Sequence, residues 1–374
     1  MKKVGIMSMQ RIVNYGSYLQ AYALKQLVQQ FDCEVEFVDY HVCKPIIDDQ
    51  SESNNKIFRK IKKGIELIKY KANIKQKIQF FKYKESFKNK YFPILGISDN
   101  FNYNPDLDCL IIGSDEVFNC IQKNSNVGFS LELFGKDNRA KKLVSYAASF
   151  GNTTIEKLKK YKKDQVIGEL LKKFDSLSVR DNNSFKIVEE LTGYTPSYSL
   201  DPVLIYDYMK ECEKIPNINI NDRYLILYAY SGRISKDESK WISKYSKQKG
   251  LKVYTIGGIQ SCGDKFIDCS PFEVLAYFKN AEEVITDTFH GSIFSIINHK
   301  KFSTIIRKSN GNEYGNEEKL SDLLSSLNLK DRIVTNVEDV ENINSIEINY
   351  ENVDSIISAY RSQTIKYLES NLKD

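Results

Sequence analysis

One of the three histidines stands in a segment whose residue types can do chemistry. Residues 285–292 read ITDTFHGS, so a short apolar strand ends there and His290 lies at the start of an apolar helix. An imidazole, with an ordinary pKa of about 6.5, can bind an anion or transfer a proton at such a position. A lone histidine is more often structural, but Asp287, Gly291 and Ser292 beside it favour a functional role.

A second group of polar residues follows the first predicted strand. Residues 14–20 read NYGSYLQ, in which Gly16 permits a turn and Ser17 can cap the following helix. Asn14 and Gln20 would then face a ligand at the helix start. A well-capped turn between strand and helix explains the same residues, so both interpretations stay open at this point.

Three further strand ends carry charged or polar side chains. Ser114 and Asp115 follow the apolar run LDCLII and suit a helix cap, a general acid or base, or a group that orients a substrate hydroxyl. Arg180 follows another short strand and suits bidentate recognition of a carboxylate or phosphate, or an ion pair with a neighbouring acid. Asp201, which precedes a proline, is interpreted as a turn cap.

Short apolar strands alternate with helical patterns and must position these residues. Such alternation predicts βαβ units with parallel sheets, in which ligands collect at the carboxyl ends of the strands. The pattern restarts near Tyr224, after a polar breaker cluster at 216–221, so we predict an α/β protein with two doubly wound, Rossmann-like domains. The predicted parts are an N-terminal domain over 1–210 with a basic helical insert at about 50–95, a C-terminal domain over 211–345, and a C-terminal helix within 346–374 that can pack back on the N-terminal domain.

Composition excludes several classes of protein. The 374 residues, 41% hydrophobic and 28% charged, suit a soluble globular protein and not a disordered chain or a small disulfide scaffold. The seven cysteines form no C-x-x-C pair, and three histidines are too few for a His-rich metal site, so we expect reduced thiols and no metal. No apolar stretch reaches transmembrane length and the N-terminus lacks a signal-peptide core, so the expected location is cytoplasmic.

The positive charge is concentrated in one segment. Residues 56–90 hold 13 Lys and Arg residues against two Glu residues, a net charge of +11, whereas the whole chain carries +5. Apolar residues at helical spacing, among them Ile74, Ile78 and Phe81, predict one or two basic amphipathic helices. A solvated hairpin that packs one face on the core is one interpretation, and a surface for anionic lipid or an anionic substrate is another. RNA binding has no motif in its support.

The order of several motifs resembles the polysaccharide pyruvyl transferase family. The motifs are NYGSYLQAYAL, VDYH, IIGSDEVFN, SYAASFG, SVRDN, SLDPVL and ITDTFHGSIFSIINHKKF, spread over about residues 4–332. Each is weak alone, but their combined order is specific. The resemblance implies two GT-B-like domains facing a cleft, the N-terminal domain on the acceptor side and the C-terminal domain on the donor side. It also implies transfer of pyruvate from phosphoenolpyruvate onto sugar hydroxyls as a cyclic ketal, with release of phosphate and without a metal or organic cofactor.

The same resemblance implies roles for individual residues on the donor side. Arg180 and His290 are expected to bind phosphoenolpyruvate as a pair and to act in catalysis. Gly291 and Ser292 are expected to complete a phosphate cradle at the helix start, and Arg307 is expected to bind an anion.

The acceptor side is expected to lie in the N-terminal half of the chain. Its expected residues are Asn14, Tyr15, Gln20, Ser114 and Asp115. Asp115 is a third expected catalytic residue, since either Asp115 or His290 can supply the proton transfers.

The expected setting is capsule or exopolysaccharide biosynthesis at the inner face of the cell membrane. We expect the acceptor to be a sugar linked to undecaprenyl diphosphate, segment 56–90 to contact the anionic membrane as a peripheral protein does, and nucleic acid not to be a partner. Two alternatives stay open. One is a GT-B nucleotide-sugar glycosyltransferase, which the fold alone permits, and the other is a non-catalytic member of the assembly machinery.

Overall fold

The chain forms two compact units. The computed structural model describes residues 1–47, 72–211, 213–308 and 315–373. The first unit contains the described residues of Met1–Asp48, Lys90–Asp207 and Glu351–Asp374, and the second contains those of Asp49–Asn89 and Tyr208–Tyr350. Each unit is built on one sheet of six parallel strands.

The elements alternate between strand and helix, as predicted. Over the described residues the strands are β1 (Lys2–Met7), β2 (Cys33–Phe37), β3 (Cys109–Asp115), β4 (Lys142–Ala148), β5 (Ser178–Val179), β6 (Ser197–Tyr198), β7 (Tyr224–Tyr228), β8 (Lys252–Ile256), β9 (Lys265–Phe266), β10 (Glu283–Thr286), β11 (Lys301–Ile305) and β12 (Ile333–Val334). The α-helices are α1 (Tyr15–Gln29), α2 (Ile74–Leu95), α3 (Ile155–Lys160), α4 (Asp164–Leu171), α5 (Asn182–Thr192), α6 (Pro202–Ile205), α7 (Lys236–Gln248), α8 (Pro271–Asn280), α9 (Phe289–Ile297), α10 (Glu317–Ser326), α11 (Val340–Ser345) and α12 (Tyr350–Leu372). Short 3-10 helices lie at Leu131–Phe134, Tyr208–Glu211, Lys330–Arg332 and Val337–Asp339.

The central strands are almost continuously apolar because both of their faces are buried. Every residue of β7 is buried, and in β3 only the final aspartate keeps some exposure. This is the pattern of parallel strands that are covered on both faces. In the first unit, Ile112, Phe118 and Phe150 belong to the core, and in the second, Leu227 and Ile285 do.

The strand order places a topological switch point in each sheet. The first sheet runs β2-β1-β3-β4-β5-β6, so the chain leaves β1 on one side for β2 and continues on the other side at β3. The second runs β12-β11-β10-β7-β8-β9, so the reversal falls between β7 and β10. In open α/β sheets, ligands bind in the crevice at the carboxyl ends of the strands at such a reversal. Ligands are therefore expected at the loops after β1, β3, β7 and β10.

The C-terminal helix α12 belongs to the first unit. The hydroxyl of Tyr367 donates a hydrogen bond to the backbone carbonyl of Ser145 at 2.6 Å. The Nε of Arg361 donates to the carbonyl of Ile205, also at 2.6 Å. Residues 346–374 thus include a helix that is bonded to the first unit. This is the packing on the N-terminal domain that we predicted as possible from the sequence.

Helix α2 contains the described part of the basic segment. Its buried side chains include Phe80, Tyr83 and Phe87, whereas Ile74 and Ile78 are 77% and 52% exposed. The predicted basic amphipathic helix is therefore present in the described part of the segment, but its buried face is not the one that we predicted from Ile74 and Ile78. The aromatic residues have more apolar surface to bury, and they occupy the inner face instead.

The placement of this segment differs from the predicted domain division. Its described residues 72–89 group with the second unit, although we assigned the insert to the N-terminal domain. The amide of Gln76 donates to the carbonyl of Gly263 at 2.8 Å, and the ring centroids of Phe80 and Phe266 are 5.5 Å apart, which ties α2 to that unit. The earlier part of the predicted insert, up to residue 71, lies outside the described residues. Among the helices that the structure describes, none has the length and apolarity needed to cross a membrane.

Candidate active site

In the first unit, the candidate residues lie at the carboxyl ends of β1 and β3. Asn14 caps α1: its Oδ1 accepts hydrogen bonds from the backbone N–H groups of Gly16 at 2.7 Å and Ser17 at 3.2 Å. Ser17, which we predicted as the cap, instead donates its hydroxyl to Asp115 Oδ2 at 2.8 Å. The helix therefore begins at Tyr15, earlier than predicted, and its first turn is bonded to the end of β3.

Asp115 is held from several directions. Its Oδ1 accepts hydrogen bonds from the backbone N–H of Glu116 at 2.9 Å and from Arg180 Nη2 at 3.1 Å, while Oδ2 accepts that of Ser17. The backbone φ of Asp115 is 78°, a left-handed conformation that is uncommon outside glycine and that concentrates at functional sites. Its side chain keeps 13% exposure, so Asp115 is both oriented and able to meet a ligand.

Arg180 lies between two carboxylates in the interior of the first unit. Its Nη1 donates to Asp201 Oδ2 at 2.6 Å and its Nη2 to Asp115, and its side chain is 4% exposed. Burial alone would lower the pKa of Arg180, but Asp115 and Asp201 outweigh burial and raise it. The ion pair that we weighed as the alternative for Arg180 is present, so this residue orients Asp115. Its role in donor binding stays a prediction. Asp201 also caps α6, as predicted for a turn, by accepting the N–H of Val203.

Three other predicted acceptor residues are fully buried: Tyr15, Gln20 and Ser114. The hydroxyl of Ser114 donates to the carbonyl of Ala147 at 3.0 Å. The amide of Gln20 donates to Ser8 Oγ at 2.8 Å, and Ser8 in turn donates to the carbonyl of Ser114 at 3.0 Å. These bonds brace the ends of β1, β3 and β4 against one another. Residues buried in this way are suited to support the strand ends that carry the site. Direct contact of these three residues with an acceptor stays a prediction.

In the second unit, a buried carboxylate lies between two guanidinium groups at the β7/β10 switch point. Asp287 follows β10 and has no exposed surface, while Arg233 follows β7 and Arg307 follows β11. Asp287 Oδ2 lies 3.8 Å from Arg233 Nη1 and 3.7 Å from Arg307 Nε. From the residues that the structure describes, neither carboxylate oxygen accepts a hydrogen bond. Burial raises the pKa of Asp287, and the two arginines oppose that shift.

Arg307 is braced on its other side. Its Nη1 and Nη2 donate to Glu238 Oε1 at 3.1 Å and Oε2 at 3.3 Å, a bidentate pair. Burial raises the pKa of Glu238, but the backbone N–H of Ser235 and the Arg307 guanidinium outweigh it, and the net shift is downward. Asn316 accepts the backbone N–H of Arg307 at 2.6 Å and donates to the carbonyl of Asp287 at 2.7 Å. The loops after β10 and β11 are therefore joined through one amide side chain.

His290 occupies the first turn of α9 and is 8% exposed. Thr288 caps this helix, and its Oγ1 accepts the N–H of Gly291 at 2.9 Å. Ser292 is fully buried, with its Oγ 2.9 Å from Thr304 Oγ1. The phosphate cradle that we predicted from Gly291 and Ser292 is not offered by these groups, because the N–H of Gly291 is taken by the helix cap and the hydroxyl of Ser292 contacts β11.

The structure distributes the predicted residues between the two units. Asp115 and Arg180 are in contact in the first unit, at the end of its sheet where Asn14 also lies. His290 and Arg307 belong to the second unit, at the carboxyl ends of β10 and β11. Within the described ranges, His, Cys, Asp and Glu side chains form no cluster of three or more that could hold a metal ion.

Sequence reasoning missed Arg233 and Glu238. Arg233 could have been found, because it follows the apolar strand LILYAY just as the other candidates follow theirs. Glu238 offered no comparable pattern. Its partner Arg307 is 69 positions away in the sequence, and the pairing arises only when α7 and β11 come together.

Solved structures share the fold at low sequence identity. The co-structure of S. aureus MnaA with UDP has a TM-score of 0.52 at 10% identity, and the match covers 99% of this chain and 96% of that chain. UDP-GlcNAc 2-epimerase from Neisseria meningitidis, bound to UDP-GlcNAc, matches with a TM-score of 0.45 at 9% identity over 99% and 100% of the two chains. The first similarity and the two parallel sheets confirm the predicted α/β fold of GT-B-like type with two Rossmann-like domains.

Comparison with family models is more specific than the comparison of folds. No curated protein sequence is a significant match. The model of the family described as polysaccharide pyruvyl transferase matches residues 14–309, which is most of the chain and includes both candidate regions. The chain therefore belongs to the polysaccharide pyruvyl transferase family.

Proposed function

We propose that this protein transfers pyruvate from phosphoenolpyruvate onto two hydroxyls of a sugar in a polysaccharide precursor. Family membership supports pyruvyl transfer as the reaction class. The observation that carries the donor assignment is the pair of partly exposed arginines, Arg233 and Arg307, on either side of the buried Asp287 at the switch point of the second sheet. His290 lies in the adjoining helical turn. Phosphoenolpyruvate has a phosphate and a carboxylate, and two guanidinium groups are suited to two such anionic groups.

The proposed reaction conserves atoms and involves no oxidation. Protonation of the donor methylene carbon makes the neighbouring carbon electrophilic, and the first sugar hydroxyl adds there and loses its proton. The bond from this carbon to the phosphate oxygen then breaks, and the second hydroxyl closes the ketal ring and loses its proton. Of the two hydroxyl protons, one balances the proton given to the methylene carbon and the other leaves with phosphate.

The geometry supports a division of roles between named residues. Asp115, oriented by Ser17 and Arg180, is proposed as the base that accepts a proton from the acceptor hydroxyl. His290 is proposed to hold or transfer a proton on the donor side, and Arg307 to bind an anionic group of the donor. Each positioned acid or base typically contributes roughly 10²–10⁴-fold to the rate.

We further propose that the acceptor is carried on a lipid, as in capsule or exopolysaccharide assembly at the inner face of the cell membrane. Helix α2 supports this proposal because it buries an aromatic face and exposes the lysines of the other face. The exposed lysines are Lys75, Lys82, Lys84, Lys88 and Lys90. A cationic helix face of this kind is attracted to anionic lipid headgroups.

The test of the proposed function is release of phosphate from phosphoenolpyruvate across a panel of lipid-linked and soluble sugars. The expected product is the acceptor plus one pyruvyl ketal, measured by mass spectrometry. Release of a nucleotide from a nucleotide sugar, with a glycosyl mass increase, would replace this proposal with the glycosyltransferase alternative.

Arg307→Gln is expected to lower kcat/KM roughly 10- to 100-fold because charge-assisted hydrogen bonds to the donor are lost. The matched control is Lys308→Gln, an exposed neighbouring cation, which is expected to leave kcat/KM unchanged.

A further inference from the structure

The carboxylate of Asp287 lies in a setting that the proposed chemistry leaves unused. It has no exposed surface, and neither oxygen accepts a hydrogen bond from the described part of the chain. Buried carboxylates usually accept several hydrogen bonds, because an ionised group without them is strongly disfavoured. The guanidinium atoms of Arg233 and Arg307, at 3.8 and 3.7 Å, lie beyond hydrogen-bond distance. Asp287 is thus poorly stabilised in its charged form.

The two arginines are anchored by other residues. Arg307 makes its bidentate pair with Glu238, and the guanidinium of Arg233 lies 4.4 Å from the ring centroid of Tyr230. Their side chains keep 28% and 25% exposure, so an anion that arrives from solvent can reach them, whereas Asp287 is buried. A ligand can therefore bind to the guanidinium groups of Arg233 and Arg307, and the carboxylate of Asp287 lies next to both of them.

The charges of the cluster determine what happens when an anion binds. Among the described residues, the charged groups that act most strongly on Asp287 are Arg233, Arg307 and Glu238, and His290 lies in the first turn of the helix that follows. With both acids ionised, the two cations are already balanced by two anions. A dianion on the arginines adds negative charge close to Asp287, and uptake of a proton by Asp287 relieves that repulsion.

We propose that Asp287 takes up a proton when a dianionic phosphate group binds to Arg233 and Arg307, so that donor binding and protonation of Asp287 are coupled. The identity of the donor rests on the proposed function, but the coupling is a property of the anion site alone. Burial already raises the pKa of Asp287, which acts in the same direction. Because binding takes up a proton, affinity for the anion falls as the pH rises through the pKa of this group.

Sulfate is the appropriate probe because it stays a dianion across the accessible pH range. Its binding to the full chain is measured by calorimetry in buffers of different ionisation enthalpy, at about pH 6 and about pH 8, a range in which histidine side chains in general can change charge. The comparison is therefore made between His290→Gln and the double variant His290→Gln/Asp287→Asn. In His290→Gln, we expect net proton uptake and a loss of affinity of up to about tenfold per pH unit. In the double variant, we expect little uptake and nearly pH-independent binding.

Several results would overturn the proposal. Equal proton uptake by the two variants is one, and the absence of sulfate binding by the wild-type protein is another. Loss of sulfate binding in a folded double variant is a third, since Asp287 would then be needed as an anion to hold the arginines. If the double variant does not fold, His290→Gln alone decides, because it must still take up a proton. Coupled sulfate binding without any pyruvyl transfer would contradict only the proposed function.

Discussion

Replacement of Arg180 by glutamine tests whether this residue holds Asp115 in place. Its guanidinium lies 2.6 Å from an oxygen of Asp201 and 3.1 Å from one of Asp115, and its side chain is 4% exposed. Removal of one partner from a buried ion pair typically destabilises a protein by about 3–5 kcal/mol, because the remaining charge stays buried without compensation. We expect a loss of that size in the free energy of unfolding for Arg180→Gln. Loss of the role in catalysis that the family resemblance implies for Arg180 would lower activity alone, and loss of the buried ion pairs adds this cost in stability.

The assay is urea unfolding followed by far-UV circular dichroism. The control is Lys159→Gln in the same unit, whose ion pair with Glu190 at 2.8 Å is exposed and is expected to contribute nothing measurable. A double variant, Arg180→Gln/Asp201→Asn, removes one of the carboxylates that would be left unpaired. It is therefore expected to be more stable than Arg180→Gln alone.

The activity of the same variant separates orientation from stability. At a temperature where Arg180→Gln is folded, we expect lower kcat/KM because Asp115 loses the charged hydrogen bond from Arg180 that helps to orient it. The reasoning is refuted if Arg180→Gln is no less stable than Lys159→Gln. Wild-type turnover by the folded variant would show that Asp115 does not depend on Arg180.

Two further predictions concern packing and acceptor choice. In Gly291→Ala, the added Cβ would clash with the Oγ1 atom of Thr286 and would lie 2.7 Å from Thr288 Oγ1. We expect a loss of about 1–3 kcal/mol in unfolding free energy, and an unchanged urea midpoint would contradict it. Charge reversal of the exposed lysines, as Lys82→Glu/Lys88→Glu, is expected to slow action on a lipid-linked acceptor by about tenfold or more, and action on a soluble analogue much less. Equal loss on both acceptors would remove the membrane-docking proposal.

Much of the secondary structure follows from local pattern. The strand KVGIM appears as β1, and the apolar run LILYAY contains β7, because strands buried on both faces must be apolar throughout. Residues 155–174, whose apolar spacing is typical of a helix, form two helices, α3 and α4, rather than one. Lys162 between them has a φ of 54°, a left-handed conformation that follows the end of the first helix, and no glycine or proline marks this position in the sequence.

The candidate site was predictable in part for a similar reason. Side chains that follow parallel strands meet at one edge of a sheet, so a search of strand ends located Asn14, Asp115, Arg180 and His290. The positions in the sequence did not show which of these side chains would be oriented by hydrogen bonds or ion pairs. Ser292 illustrates the difference, because its hydroxyl lies 2.9 Å from that of Thr304 on β11, a contact that only the packing of α9 on the sheet reveals.

The sequence by itself determined the family, the two Rossmann-like domains and the strand ends that carry polar side chains, since these depend on the order of motifs and on local periodicity. Only the tertiary structure decided the electrostatic state of the site. Arg180 meets carboxylates that are 65 and 21 positions away, and Asp287 lies between Arg233 and Arg307. Burial and distance set these interactions, and both arise where distant segments pack together, which no local pattern encodes.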